Sequence, residues 1–358
     1  MEMEKLSVGL DKIDLSNVRV IGVQCKKLLS NRAILELGGS GLESIDFDSE
    51  KDIIINEMLV TVAAKDNERE NAIQISINKQ KGLKGYYYTA LSFNAPKLFE
   101  RTNETNISEE VIVSQLPQII AEKLANEGVF IDIEKATIKA CEINTNIVDN
   151  GAFKETYELI KESWKNEDEK VFLVDSKKGY ESMKCNRATR KLKIYDKARE
   201  LREQGYEVEN EITRIEVSTS HATTLKQLLK DDISFINFCN SFETMQKYYK
   251  KVIKDDIQKP VSKFIGKLED EIFNELEKGK KPYKIYEGYI NDKQKRNLIV
   301  DLVVFDNAIT KYYKKNKKKN LSRDIKNFHE RILKKTNLEN YNKLVNNMER
   351  IEQLVENI

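Results

Sequence analysis

Three stretches of this sequence place polar and charged residues where a sheet would ordinarily carry core. Strand side chains alternate, so residues two apart share a face. In the run 137–146, TIKACEINTN, residues Glu142, Asn144 and Asn146 fall on one face with Ile138 and Ala140. In the run 211–219, EITRIEVST, Ile212, Arg214, Glu216 and Ser218 share a face, with Thr213, Ile215 and Val217 on the other. In the run 190–197, RKLKIYDK, Leu192 and Ile194 point one way, whereas Lys191, Lys193, Tyr195 and Lys197 point the other. Paired together, such strands bring two carboxylates, a tyrosine and several cations onto one surface, a set suited to acid–base work. Plainer readings fit the same residues. Arg214 and Glu216 could be a cross-strand ion pair on a solvated face, Tyr195 an ordinary half-buried strand tyrosine, and a hydrolase with paired carboxylates would use these acids equally well.

The composition removes other chemistries. Two histidines, His221 and His329, stand far apart among 358 residues, so no local histidine zinc motif exists. The four cysteines (Cys25, Cys141, Cys185, Cys239) form no C-x-x-C pair, which points to reduced thiols in a cytosolic chain. The opening MEMEKLSVGLDKIDL is charged and reads as no signal peptide, and no run approaches the roughly 20 apolar residues that span a bilayer. The expectation is a cytoplasmic protein without membrane contact. With 61 Lys and Arg against 59 Asp and Glu, net charge says little about partners; distribution says more.

The elements that must position these residues follow from periodicity. Up to about residue 75, short β-rich runs (VRVIGVQC, AILELG, DIIINEMLVTVAA, AIQISIN) alternate with polar turns, and the acidic GLESIDFDSEKD reads as a surface loop. These first 80 residues could complete the sheet of the polar strands or form a second half of a pseudo-dimeric fold. GYYYTALSFNAPKL is an aromatic strand stopping at Pro96. NISEEVIVSQLPQIIAEKLANEG reads as a helix capped by Ser108, kinked at Pro117 and closed by Gly128. VFIDIEKATIKACEINTNI is strand again, so strand, helix and strand make a βαβ unit with parallel ends. After a helix at ETYELIKESWK come strands KVFLVDS, YESMKC, RKLKIYD and EITRIEVST, the middle two a hairpin across Asn186–Thr189, with a short helix at KAREL ended by Gly205.

Beyond residue 221 helical periods dominate, from TTLKQLL to MERIEQLVENI. The expected class is α+β: a mixed β-sheet domain with βαβ units over 1–220, then a mostly helical basic domain over 221–358. Between Lys311 and Lys335 eleven Lys or Arg face only Asp324 and Glu330. KYYKKNKKKN, with Lys314, Lys315, Lys317, Lys318 and Lys319, interleaves tyrosines with lysines, as phosphate contacts and base stacking require. A solvated helix end has the same composition.

The block from Asn186 to Leu201, followed by Glu211 to Ser220, resembles the signature of rolling-circle replication initiators of the Rep-trans plasmid type, and of the related filamentous-phage initiators. In that family a strand I-Y-[ND]-K-x-x-E carries a nucleophilic tyrosine, here Ile194-Tyr195-Asp196-Lys197 with Glu200. A downstream R-[IV]-E-[IV] strand supplies a carboxylate, here Arg214-Ile215-Glu216-Val217. Upstream, Leu91-Ser92-Phe93-Asn94 with Pro96-Lys97-Leu98 is similar to a family strand I-E-F-N-x-x-K-L, with Ser92 in place of the acid. Cys141-Glu142-Ile143-Asn144-Thr145-Asn146 stands where the family has L-D-L-A-x-D, and keeps one acid. The resemblance covers roughly residues 85 to 220.

What the resemblance implies is a DNA strand-nicking and strand-joining endonuclease acting at a plasmid or phage origin. The Tyr195 hydroxyl attacks a phosphodiester, forms a 5′-phosphotyrosine and leaves a 3′-OH for a polymerase; rejoining then needs no nucleotide cofactor. Mg²⁺ or Mn²⁺ on Glu142 and Glu216, with Asn146 as third ligand, would polarise the phosphate. Tyr195, with an ordinary pKa of about 10, needs help, and Lys197 is the candidate to stabilise phenolate or phosphate. Arg190, Lys193 and Arg214 would position the DNA backbone. Termination requires a second nucleophile, either Tyr180 or Tyr206 or, in a homodimer, Tyr195 of the partner subunit. The helical part would grip the origin duplex or dock a host helicase. A conjugative relaxase of the same chemistry, or a non-catalytic DNA-binding regulator on the same fold, are the alternatives.

Overall fold

The computed structural model describes residues 6–24, 34–37, 45–46, 55–64, 67–78, 87–99, 107–149, 152–165, 167, 172–175, 182–291, 302–334, 351–354 and 356. The strands are β1 (Gly9–Val23), β2 (Ile34–Leu37), β3 (Ile45–Asp46), β4 (Ile55–Ala64), β5 (Asn67–Asn78), β6 (Tyr87–Asn94), β7 (Val129–Asp132), β8 (Thr137–Asp149), β9 (Phe172–Asp175), β10 (Ser182–Asn186), β11 (Lys191–Asp196) and β12 (Glu211–Thr219). Among them run α1 (Ala95–Leu98), α2 (Glu110–Asn126), α3 (Ala152–Lys165) and α4 (Lys197–Glu203). After β12 the chain is helical: α5 (Ala222–Leu228), α6 (Phe235–Asn240), α7 (Phe242–Ile253), a π-turn at Lys254–Gln258, α8 (Lys259–Glu277), α9 (Pro282–Asn291), α10 (Leu302–Lys315) and α11 (Leu321–Leu333). The class is α+β.

One sheet holds all these strands, in the order β2-β4-β5-β6-β1-β8-β12-β11-β10-β9, with β3 and β7 also pairing to β1. Every pairing among the described residues is antiparallel. The strands β6 and β8, joined through α2 and β7, do run parallel to each other, but β1 lies between them and pairs with both. The crossover is thus a split one. The described strands within the first 80 residues, β1 to β5, belong to this same sheet, and β1 lies near its centre. Ile45 and Asp46, inside the acidic segment expected as a loop, pair with the end of β1; the rest of that segment lies outside the described residues.

One detail of α2 differs from the sequence expectation. Ile107 is held extended by its bridge to Leu10, so Ser108 does not cap, and Glu109 precedes the first turn without a side-chain cap bond. The helix continues through Pro117, and Gly128, at φ 85, takes the left-handed turn that ends it. The hairpin β10–β11 forms as expected, Ser182 opposite Tyr195 and Asn186 opposite Lys191.

The apolar side of the alternation is the core. Leu10, Ile13 and Leu15 of β1, Phe93 of β6, Cys141 and Ile143 of β8, Ile215 and Val217 of β12, and Leu192 and Ile194 of β11 are buried. They share a core with Leu116 and Ile120 of α2, Phe235 and Phe238 of α6, and Met245 and Tyr249 of α7. The Tyr249 hydroxyl donates to the Ile215 carbonyl at 2.9 Å, tying α7 to the sheet. Burial of this set supplies the driving force at roughly 25 cal/mol per Å² of apolar surface, and it leaves the other face of the central strands to the polar residues. No helix among the described residues is long and apolar enough to cross a membrane.

Candidate active site

The polar face is ordered in rows across the strands. One row runs Ser182, Tyr195, Arg214, Asn146 through β10, β11, β12 and β8. The next has Lys193, Glu216, Asn144 and Gly9, and the third Lys191, Ser218, Glu142 and Lys12. Between the second and third rows β1 carries a bulge: Leu10 faces Ile143 and Lys12 faces Glu142, so Asp11 is the extra residue. The bulge turns Asp11 onto the polar face. Carboxylate oxygens of Asp11, Glu142 and Glu216 all lie within 4.8 Å of one another.

This acid cluster is held from beneath. Asp11, 6% exposed, accepts from Asn94 Nδ2 at 2.8 Å and pairs through Oδ2 with Arg214 Nη1 at 3.2 Å. Arg214, 1% exposed, also donates from Nε to Asn146 Oδ1 at 2.8 Å. The Tyr195 hydroxyl donates to Glu216 Oε2 at 3.3 Å. Lys193 Nζ sits 3.8 Å from the centre of the Tyr195 ring, a cation over a π face. Lys197, buried at the start of α4, bonds Glu200 Oε2 at 3.1 Å.

The protonation equilibria follow from crowding and burial. Burial, then the charges of Glu216 and Asp11, push the Glu142 carboxyl up to about 7. Burial also raises Glu216, opposed by Lys193. The Tyr195 hydroxyl is driven well above its ordinary range by burial, with Arg214 pulling it down and Glu216 pushing it up. Lys197 is lowered, first by burial and then by the charge of Arg214. Three crowded carboxylates beside a phenol are a site that gains from a cation. Their donors are all hard carboxylate oxygens, able to hold a divalent metal ion.

Several residues stand elsewhere than the sequence suggested. Asn146 spends its side-chain oxygen on Arg214, and the third carboxylate beside Glu142 and Glu216 is Asp11. Arg214, expected on the DNA backbone, is an internal counter-charge, because burial leaves it no surface to offer. Strand β11 ends at Asp196, so Lys197 belongs to a helix and is enclosed. Arg190 is clamped to the buried Asp256 of the π-turn, Nε to Oδ2 at 2.7 Å and Nη2 to Oδ1 at 3.0 Å, alongside Arg187 at 3.0 Å. Ser92, standing where the resembling strand has an acid, donates to Asp14 Oδ1 at 2.6 Å. Asp11 itself escaped sequence reasoning; the signal that could have found it is an acid between Leu10 and Lys12 in an otherwise alternating strand. Tyr206 lies in the loop before β12, and Tyr180 lies outside the described residues.

The lysine-rich segment is a separate surface. Lys314 and Lys315 end α10, and Lys317, Lys318 and Lys319 occupy the exposed turn before α11; Lys335 lies outside the described residues. Lys311 pairs with Asp270 at 2.6 Å and Lys315 with Glu277 at 3.2 Å, both on α8, while Lys318 packs 4.2 Å over the Tyr312 ring.

No family model matches this chain, and no curated protein matches its sequence. A solved structure that does match is the rolling circle replication initiator protein from Geobacillus stearothermophilus, at 10% sequence identity, covering 64% of this chain and 80% of that one, with a TM-score of 0.31. The functional reading therefore stands on the residues of the site.

Proposed function

We propose that this protein is a replication initiator that nicks one DNA strand at an origin through Tyr195 and later rejoins it. The observation that carries the reading is the Tyr195 hydroxyl bonded to Glu216, itself one of three clustered carboxylates. A phenol in contact with an acid cluster is the arrangement that a metal-assisted phosphoryl transfer to tyrosine needs. Asp11, Glu142 and Glu216 would hold Mg²⁺ or Mn²⁺, which supplies Lewis-acid stabilisation of the phosphate charge. Glu216 takes the phenolic proton as the bond from Oη to phosphorus forms. The bond from phosphorus to O3′ breaks, and O3′ takes a proton from water to become the free 3′-OH. Lys193, over the tyrosine ring, offsets the phenolate charge, and Arg214 holds the Asp11 carboxylate in place.

In this reading the residues up to about 220 carry the chemistry, and the helices after 221 grip DNA through Lys314, Lys315, Lys317, Lys318 and Lys319, or dock a helicase. A second copy of the chain supplies the tyrosine for termination. A non-catalytic DNA-binding role on the same scaffold is favoured by one observation, the 2% exposure of Tyr195. The test is incubation of purified protein and Mn²⁺ or Mg²⁺ with supercoiled plasmids carrying or lacking the encoding element's origin. Origin-dependent nicked circles that vanish with Tyr195→Phe are expected. Tight DNA binding without nicking under either metal would transfer the reading to the non-catalytic role.

A further inference from the structure

Beyond the acid cluster, on the side away from Tyr195, the polar face opens into a groove of about 190 Å³. Its lining includes Lys12 and Asp14 of β1, Glu142 of β8, Lys191 of β11, and Arg187 and Arg190 of the hairpin turn. Four cations thus border one end of a carboxylate site. Arg187 and Arg190 are anchored on Asp256, which is fully buried and whose backbone carbonyl also accepts from Trp164 Nε1 at 2.8 Å, so the hairpin turn is braced against the helices. Lys12 reaches only Asp14, at 3.7 Å, and Lys191 makes no ion pair among the described residues. Lys191 and Lys12 at this braced rim are the cations that an anionic chain can meet.

The order of the rows gives that chain a direction. Going along the strands, the Tyr195 row comes first, then Glu216, then Glu142 with Lys191 and Lys12, then the groove. In a phosphoryl transfer the attacking and leaving oxygens lie roughly in line through phosphorus. With the scissile phosphate at the acid cluster and Tyr195 on one side, the leaving O3′ faces the groove. Resting on the nicking reading above, we propose that the groove seats the single-stranded nucleotide that departs with the 3′-OH, its own 5′-phosphate held by Lys191 and Lys12. Holding that end keeps the 3′-OH beside the phosphotyrosine until a polymerase or the rejoining step uses it.

The test uses the full chain without metal and a fluorescent single-stranded dT 12-mer with 4-thiothymidine at its 3′ end. On irradiation, crosslinks mapped by mass spectrometry are expected at 187–191 or 12–14. Lys191→Glu should remove these crosslinks, and Lys191→Ala should weaken binding roughly tenfold and lower the salt slope by about 0.7, one phosphate on a single strand. Lys191→Arg should restore both, and Lys226→Ala on α5 should change neither. Crosslinks confined to 311–319, or binding indifferent to Lys191, would overturn the groove assignment. Plasmid nicking separates the two claims: nicking without groove crosslinks leaves the initiator reading standing alone, and groove crosslinks without nicking leave a single-strand site with no nicking chemistry.

Discussion

Two charged regions of this molecule are built in opposite ways. Around Tyr195 the charges are enclosed and interlocked: Arg214 at 1% exposure between Asp11 and Asn146, Lys197 at 2% against Glu200. Along Lys311–Lys319 they stand in water, and the ion pairs they make are surface pairs. Burying charge costs several kcal/mol per ion before pairing returns it, whereas a solvated lysine costs nothing to keep. A chain that maintains the first arrangement does so for what the buried groups do together. The second arrangement is suited to screened, long-range attraction of a polyanion.

This contrast fixes what each region should lose when disturbed. Tyr195→Phe removes one oxygen from the enclosed region and should reduce nicking by about 10³-fold or more, the order reached when an active-site group is deleted. Its melting temperature should stay close to that of the parent, as circular dichroism will show. Arg214→Met leaves Asp11 buried without its counter-charge, and breaking such a pair costs roughly 3–5 kcal/mol. Chemical denaturation should show that loss; a change below about 1 kcal/mol would mean the pair is not enclosed. Asp11→Asn should weaken Mn²⁺ binding by at least tenfold, read by calorimetry or by electron paramagnetic resonance of free Mn²⁺, while Asn146→Ala should weaken it less.

A smaller effect follows from pH. The Glu142 carboxyl is pushed up to about 7 in the folded chain against an ordinary value of 4.5. The folded state therefore binds this proton more tightly than the unfolded state. Its stabilising contribution is complete below about 4.5 and is lost as pH rises through about 7. The metal-free protein should thus lose stability from pH 5 to 8 more steeply than Glu142→Gln, and Mn²⁺ should restore it at the upper end, because metal and proton compete for one carboxylate. Smallest of all, Lys315→Ala should leave the melting temperature unchanged and reduce only the salt-dependent part of duplex binding.

Much of this site could be read before the fold. Strand alternation set Glu142, Glu216 and Tyr195 on polar faces, and β8, β12 and β11 do pair side by side with those residues close together. What alternation could not reach was Asp11. It sits in a bulge, where the two-residue period slips by one, and its partners Glu142 and Arg214 are distant in sequence. Burial was equally hidden: Arg214 and Lys193 alternate alike, yet one lies under the acid cluster and the other over a tyrosine ring. The split crossover has the same cause, since nothing local says that β1 inserts between β6 and β8.

The central claim is that the hydroxyl of Tyr195 is the group that takes the DNA. The protein should be incubated with Mn²⁺ and origin-bearing plasmid, digested with nuclease and protease, and its peptides sequenced by mass spectrometry. A nucleotide 5′-phosphate on the peptide containing Tyr195, absent when metal is chelated, is the expected result. Nicked DNA with the nucleotide on another tyrosine, or with no peptide carrying one, would contradict it.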